Sequence, residues 1–312
     1  MKPAHIALAI LVSALWGIAF VVSKIGLESF TPAQLTALRF MVAGIAAVWL
    51  PRPMVSWPTL VAVGLTVFTG QFLLQFFGIA NGMSAGLTAF VVQTQALFTV
   101  LFAALAIGDK PRPRYVAGML TAAAGLVLVG LTSGSGVTAA GFALALGSAV
   151  SWAIGNVWIK RIGEVKMLHL MVWASLVPPL PSLALSALLD GPRSLLTFFA
   201  GASWLGIGAA LYLGVVATVF AYAVWGHLLQ RYTTGAVAPF ALLAPCVGAM
   251  ASAMVFGERF GPMRLAGMAF MLMGVAIVAL PLHRIGPLPL GPKIRRRPLL
   301  EATSSGGHAD TP

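Results

Sequence analysis

The feature of this sequence that most limits its fold is the spacing of its charged residues. They leave long charge-free runs at 3–23, 53–108, 115–159, 167–189, 194–230, 232–257 and 265–283. A helix needs about 20 apolar residues to cross a bilayer, so each run can hold one or two spanning helices. Only 8% of the residues are charged and 59% are hydrophobic, which is too few charges to cover a soluble surface. The sequence therefore predicts an all-α polytopic membrane protein.

The number of spans follows from the lengths of these runs. The two longest runs can each hold two helices, and turn-forming residues divide them at Asn81–Gly82 and at 132–136. One further span, at 32–50, contains a single charge, Arg39. These spans predict ten transmembrane helices in the chain.

Two phrases of the sequence occur twice. WGIAFVVSK at 16–24 returns as WAIGNVWIK at 152–160, and AIGDKPRPRYVAGML at 106–120 returns as VFGERFGPMRLAGMA at 255–269. Each half contains five predicted helices, and because five is odd, the second half must enter the membrane in the opposite orientation. Two inverted five-helix repeats are typical of secondary transporters.

The repeats set the predicted domain boundaries. We expect a first repeat at 1–132, a second at 138–282 and a disordered basic cytoplasmic tail at 283–312. Lys2 followed by an apolar run is also compatible with a cleaved signal peptide. The return of the same phrase later in the chain instead indicates a retained helix.

The Lys and Arg residues favour a topology with both termini in the cytoplasm. In that orientation the inner segments carry fourteen of them and the outer loops carry four, in agreement with the positive-inside rule. The net charge of +12 is thus mostly a topology signal. Because these charges are divided among short loops, we expect membrane lipid and no nucleic acid as a partner.

Polar side chains inside a membrane are costly and usually face the bundle interior or a water-filled cavity. The amide candidates for substrate binding are Gln71, Gln75, Gln93, Gln95 and Asn156. Gln71 and Gln75 lie four residues apart on one helix face. Gln93 and Gln95 would lie about 200° apart on an unbroken helix, so only one of them could face a given cavity. Hydrogen bonding between helices is the alternative role for each amide.

Three further candidates are ionic or aromatic. Arg39 could attract a substrate carboxylate or extend its charge along an aliphatic stem to the outer interface. Trp16 and Trp152 lie near mid-membrane, where they could line and gate a cavity or pack the two halves together. Trp225 lies near a predicted helix end and is interpreted as an interfacial anchor.

Several functional classes are disfavoured by the sequence. It contains no G-x(4)-G-K-[ST] loop and no HExxH motif, so we expect neither ATP hydrolysis nor a zinc site. One cysteine, Cys246, is too few for a cysteine-rich metal site. We expect no cofactor, and an intramembrane enzyme is a remote alternative. The pairs Gly118/Gly125 and Gly267/Gly274 suit either internal helix packing or a homodimer face.

The repeated motifs resemble a known family. The WGxxFxxxK start, the GD/GE-x(8)-GM pattern near the end of each half and the five-plus-five layout are similar to the EamA family of the drug/metabolite transporter superfamily, over roughly residues 5–281. The blocks GQFLLQF and QTQ are similar to those of O-acetylserine/cysteine exporters in that family. The resemblance implies a bacterial inner-membrane permease that exports small amino-acid metabolites by alternating access. Export of aromatic amino acids or drugs is the alternative.

Overall fold

The structure is a computed structural model that describes residues 1–107, 113–132, 137–196, 198–232 and 234–279. The predicted tail at 283–312 lies outside the described residues, as does the loop that contains Asp109 and Lys110. Every regular element in the described part of the chain is a helix.

The helices up to residue 130 are α1 (Pro3–Gly26), α2 (Pro32–Gly44), α3 (Trp57–Val63), α4 (Gln71–Ala80), α5 (Ala85–Gln93), α6 (Gln95–Ile107) and α7 (Pro113–Gly130). The helices that follow are α8 (Ala139–Ile162), α9 (Met167–Ala174), α10 (Pro179–Leu189), α11 (Arg193–Leu196), α12 (Trp204–Leu211), α13 (Ala221–Arg231), α14 (Thr234–Ala241), α15 (Leu243–Phe256) and α16 (Pro262–Ala279). A 3₁₀ turn, Ile45–Val48, extends α2.

Seven helical stretches are long and apolar enough to cross a membrane: Pro3–Gly26, Trp57–Ala80, Ala85–Ala106, Pro113–Gly130, Ala139–Ile162, Met167–Leu189 and Trp204–Arg231. They confirm the prediction of an all-α polytopic membrane protein. Three shorter apolar helices lie at Pro32–Val48, Leu243–Phe256 and Pro262–Ile277. These three occupy the positions of the second, ninth and tenth predicted spans, so ten spans stays a prediction that requires the short helices to cross as well.

Side-chain caps define where several helices begin. Thr31 and Gln34 form a capping box, in which each side chain bonds the backbone N–H of the other residue. The hydroxyls of Ser56, Ser84, Thr138 and Ser203 accept from the first turns of α3, α5, α8 and α12. The turn predicted at Asn81–Gly82 is confirmed, and Gly82 adopts a φ of 92° that favours glycine.

Two π-helical segments lie at corresponding places in the two halves. Gly64–Gly70 joins α3 to α4, and Tyr212–Phe220 joins α12 to α13. In each, a threonine hydroxyl donates to the carbonyl five residues earlier: Thr69 to Gly64 at 3.1 Å and Thr218 to Leu213 at 2.8 Å. The positions are 149 residues apart, the same shift that relates the two copies of the GD/GE phrase.

Helix α1 packs against α12, α13 and α15, whereas α8 packs against α4, α5 and α6. The first helix of each half thus contacts helices of the other half. This exchange of contacts fits the predicted two-fold relation between the halves.

Glycines allow the closest contacts between helices. A Cβ added to Gly125 of α7 would lie 2.6 Å from the carbonyl oxygen of Gly267 in α16, and one added to Gly274 would lie 2.5 Å from that of Gly118. The spaced glycine pairs therefore pack α7 against α16 within the chain. A homodimer stays an untested prediction.

Candidate functional site

A cavity of about 270 Å³ lies among the helices of both halves. All eight side chains predicted as substrate-binding line it: Trp16, Arg39, Gln71, Gln75, Gln93, Gln95, Trp152 and Asn156. The sequence therefore located the side chains that the fold brings together. Whether they bind substrate stays a prediction.

The cavity extends toward one end of the bundle. Ile159, Met167 and Leu229 line it, beside the end of α8, the start of α9 and the end of α13. The start of α1 lies at this same end, since His5 Nδ1 is 2.7 Å from the hydroxyl of Tyr232. On α1, Phe20 is the last residue that lines the cavity.

Arg39 lies on α2 with only 4% of its surface exposed. Its Nε and Nη2 atoms donate to the hydroxyl of Thr218, at 3.3 and 3.2 Å. The guanidinium carbon lies 3.8 Å from the ring centre of Phe72, within cation–π range. Arg39 therefore does not extend to the interface, and its charge is held at the cavity wall by a neutral hydroxyl and an aromatic ring.

Gln71 and Gln75 lie where the first π-helical segment passes into α4, and both side chains are buried. Gln71 Nε2 donates to Gln75 Oε1 at 2.9 Å. Gln71 Oε1 has no hydrogen-bond partner within the described part of the chain. Since buried polar atoms are usually paired, this oxygen is an unsatisfied buried acceptor of a residue that lines the cavity.

Gln93 and Gln95 both line the cavity, so the expectation that only one could face it is wrong. The physical reason is a turn at Thr94, which ends α5 before α6 begins at Gln95, so the two glutamines do not lie on one unbroken helix. Asn156 Nδ2 donates to Gln95 Oε1 at 2.9 Å and to Thr99 Oγ1 at 3.0 Å, and Gln93 Nε2 donates to the carbonyl of Ala241 at 3.2 Å.

Aromatic rings form another part of the cavity wall. The Trp16 ring lies 5.7 Å from that of Tyr222 and 5.0 Å from that of Trp225, and its Nε1 donates to the carbonyl of Ala217 at 3.0 Å. The interpretation of Trp225 as an interfacial anchor is wrong, because its side chain lines the cavity. The spacing of Tyr222, Trp225 and Leu229 along one helix face could have revealed this wall.

The opposite end of the bundle carries an ion pair. Lys24 Nζ lies 3.2 Å from Glu258 Oε1. The Glu258 carboxylate also accepts from the backbone N–H groups of Ala85 at 3.2 Å and Gly86 at 3.3 Å. These contacts join the end of α1, the start of α5 and the segment that follows α15.

The surroundings of Glu258 act on its pKa in two directions. Burial by itself raises the pKa of this carboxyl, but nearby donors and the charge of Lys24 outweigh burial and lower the pKa below its ordinary value. Ser252 lies close to the carboxylate, but its hydroxyl has no hydrogen-bond partner among the described residues. Lys24 and the two α5 amides are therefore the donors that hold the charge.

Among the residues that the structure describes, no group of three or more His, Cys, Asp or Glu side chains could hold a metal ion. What the cavity offers is one cation, a row of amides and a wall of aromatic rings. This arrangement can bind a small polar molecule by charge and hydrogen bonds.

Comparison with known proteins gives consistent results. The EamA-like transporter family matches residues 4–131 and 139–280. A protein of Salmonella typhimurium strain LT2, named "Probable amino-acid metabolite efflux pump", is 38% identical over 277 residues, which cover 86% of this chain and 93% of that protein. A protein of Escherichia coli strain K12 with the same name is 36% identical, with the same coverage.

A solved crystal structure shares the fold at 21% identity and a TM-score of 0.59, and the match covers 89% of this chain and 96% of the other. The family match extends over both halves, and the two relatives are 38% and 36% identical over most of the chain. The chain therefore belongs to the EamA-like transporter family, as a multi-pass membrane protein.

Proposed function

We propose that this protein exports small amino-acid metabolites, with O-acetylserine and cysteine as the expected substrates, across the bacterial inner membrane by alternating access. The observation that carries this proposal is the cavity, in which Arg39 and a row of amides meet inside an otherwise apolar bundle. The names of the Salmonella and Escherichia relatives support export of amino-acid metabolites.

The size of the cavity favours a metabolite over a drug. Pockets for drug-sized ligands are typically about 300–1,000 Å³, and this cavity measures about 270 Å³. A small amino acid therefore fits it better than a large hydrophobic drug. Aromatic amino acids stay the nearest rivals, because Trp16, Tyr222 and Trp225 offer them a stacking surface.

Arg39 supplies the binding group for the substrate carboxylate. Its hydrogen bonds within the described residues go to the neutral hydroxyl of Thr218. A buried charge is stable only when it is paired or well hydrogen-bonded, and a guanidinium binds a carboxylate through two parallel N–H groups. The substrate thus provides the anion that the described residues do not place in the cavity.

The amides hold the rest of a zwitterionic substrate. Gln71 Oε1 is an unpaired acceptor, suited to an ammonium or hydroxyl donor. The remaining amides, Gln75, Gln93, Gln95 and Asn156, form a polar path along the same wall. Because each amide both donates and accepts, it can exchange one partner for another as the substrate passes.

The two ends of the bundle fit one state of an alternating-access cycle. The cavity extends toward the end with the start of α1, while Lys24 and Glu258 close the opposite end about one helical turn beyond Phe20. With both termini in the cytoplasm, this state faces inward. The paired π-helical segments are suitable sites of bending, since π-bulges are frequent at functional sites.

The proposed export runs down the metabolite's own gradient. Proton-coupled carriers usually place a titratable acid along the path, and no acid lines the cavity among the residues that the structure describes. Purified protein in liposomes should exchange substrate without an imposed pH gradient or membrane potential. Strict dependence on a proton gradient would contradict this mechanism.

Transport into inside-out vesicles tests the substrate assignment directly. We expect labelled O-acetylserine and cysteine to enter faster than labelled phenylalanine when the protein is present. Vesicles without the protein give the background rate. A preference for phenylalanine would assign the protein to aromatic amino acids instead, and equal background rates for all three would contradict export of amino acids.

A further inference from the structure

The charges around the cavity are unbalanced. Among the described residues that line it, Arg39 is the only Arg, Lys, Asp or Glu side chain. Of the acids in the described chain, Glu28, Glu164 and Asp190 are exposed, and Glu258 is bound to Lys24 at the closed end. The described side chains that line the cavity therefore carry one net positive charge.

The contacts of Arg39 do not neutralise this charge. The Thr218 hydroxyl is a neutral acceptor, and the Phe72 ring provides only its quadrupole. A bound monoanion would make the cavity electrically neutral. In an environment of low dielectric constant, that pairing is stronger than it would be in water.

A zwitterion leaves a different balance. Its carboxylate pairs with Arg39, but its ammonium finds only neutral groups such as Gln71 Oε1 and the Tyr222 ring. Removing an ammonium from water without a counter-ion is costly. Binding of a zwitterion thus leaves the net positive charge of the cavity unchanged. It also removes a second cation, the ammonium, from water.

From this charge balance we infer a further activity: the protein carries small monocarboxylates in which a neutral hydroxyl replaces the ammonium, at least as well as it carries the amino acids. The inference rests on the proposed function, because it concerns the same cavity and the same Arg39 contact. Gln71 Oε1 can accept from the hydroxyl of such a hydroxy acid, and this hydroxyl brings no second positive charge into the cavity. Small amines without a carboxylate should be carried more slowly, because their charge repels that of Arg39.

Three matched compounds separate these contributions. Cysteine is the zwitterion, mercaptolactate replaces its ammonium with a hydroxyl, and cysteamine keeps the ammonium and lacks the carboxylate. Labelled forms of each are supplied with a reductant to proteoliposomes that contain the full chain, and initial uptake is compared with protein-free liposomes. We expect mercaptolactate to enter at a rate equal to or above that of cysteine. Cysteamine should enter about ten-fold to a hundred-fold more slowly, the factor expected for loss of a charged hydrogen-bonded pair.

Variants of Arg39 identify the group responsible. Arg39→Gln should abolish mercaptolactate uptake, and Arg39→Lys should restore part of it, because an ammonium keeps the charge without the two-point geometry. Arg52→Gln is the matched control, since Arg52 is exposed and lies over the ring of Trp57 outside the cavity. Normal mercaptolactate uptake by Arg39→Gln would overturn the inference.

The outcomes distinguish this inference from the proposed function. Slower uptake of mercaptolactate than of cysteine by the unmodified protein would overturn the inference and leave amino-acid export standing. Uptake of mercaptolactate alone would support the inference and contradict the proposed substrate. Background rates for both compounds would contradict both.

Discussion

At the scale of single residues, Thr218 determines where the Arg39 guanidinium lies. Its hydroxyl accepts from two guanidinium nitrogens and donates to the carbonyl of Leu213 in the π-helical segment. A single hydroxyl thus connects the charge of the cavity to an irregular turn of the helix. Thr69 makes the same backbone contact, to Gly64, whereas the side-chain hydrogen bonds of Arg39 go to Thr218.

This pair of threonines gives a matched test. Thr218→Val removes the acceptor and should raise the KM for cysteine about ten-fold, since hydrogen bonds to charged groups contribute about 1.5–3 kcal/mol. Thr218→Ser keeps the hydroxyl and should behave almost normally. Thr69→Val loses the equivalent backbone contact and controls for an effect of the π-helical segment alone. An equal rise in KM for both valine variants would show that Arg39 is not the cause.

The amides of the cavity permit a second test at this scale. Gln75→Leu, Gln93→Leu and Asn156→Leu should each lower export while membrane abundance stays nearly unchanged. Polar contacts between membrane helices contribute only about 0.6 kcal/mol on average, so the variants should fold. Gln230→Leu is the control, because Gln230 is exposed at the end of α13. Normal export by all three variants would mean that these amides only connect helices.

At the scale of elements, the sequence predicts where most helices lie along the chain, but it does not predict the irregular turns within them. The prolines at 178, 179 and 181 predict the interruption between α9 and α10, because proline cannot donate the helical hydrogen bond. The turn at Thr94 has no such signal, because threonine is tolerated inside helices. In the structure its hydroxyl and its backbone N–H both donate to the Val91 carbonyl. For this reason the sequence identified Gln93 and Gln95 but misplaced one of them.

The contact between α7 and α16 gives the prediction at the element scale. Gly125→Ala should lower the melting temperature in detergent, because its Cβ would lie 2.6 Å from a backbone oxygen and the helices must separate. Forced overpacking of this kind costs about 1–3 kcal/mol. Gly208→Ala in α12 is the control: nothing lies within 4 Å of its added Cβ, and alanine favours the helix. A Gly125→Ala protein as stable as the control would contradict this packing.

At the scale of the whole molecule, the orientation in the membrane decides which end of the cavity faces the cytoplasm. In a Cys246→Ala background, a cysteine at Ser133 should react with an impermeant thiol reagent added from outside, whereas one at Arg112 should not. Both positions lie outside the described residues, so this test depends only on the charge bias and the order of spans. The reverse pattern of labelling would invert the proposed direction of access.

The ion pair at the closed end of the bundle connects the two halves of the molecule, because Lys24 and Glu258 come from different halves of the chain. If the halves move against each other, this ion pair must separate in the outward-facing state. Because the pKa of Glu258 lies below its ordinary value, its carboxylate stays charged at neutral pH, and the ion pair is lost as the pH falls through that lowered pKa.

A cysteine at Phe20 measures this separation, since Phe20 lines the cavity one turn inside Lys24. Glu258→Gln should increase its reactivity toward an impermeant reagent added from outside. Lys24→Gln should have the same effect, and the double variant should add little, because either change already removes the coupling between two contacting residues. Arg259→Gln, which alters an exposed neighbouring charge, should leave the reactivity unchanged. Additive effects of the two substitutions would indicate that Lys24 and Glu258 act on access separately, and that their ion pair does not hold this end closed.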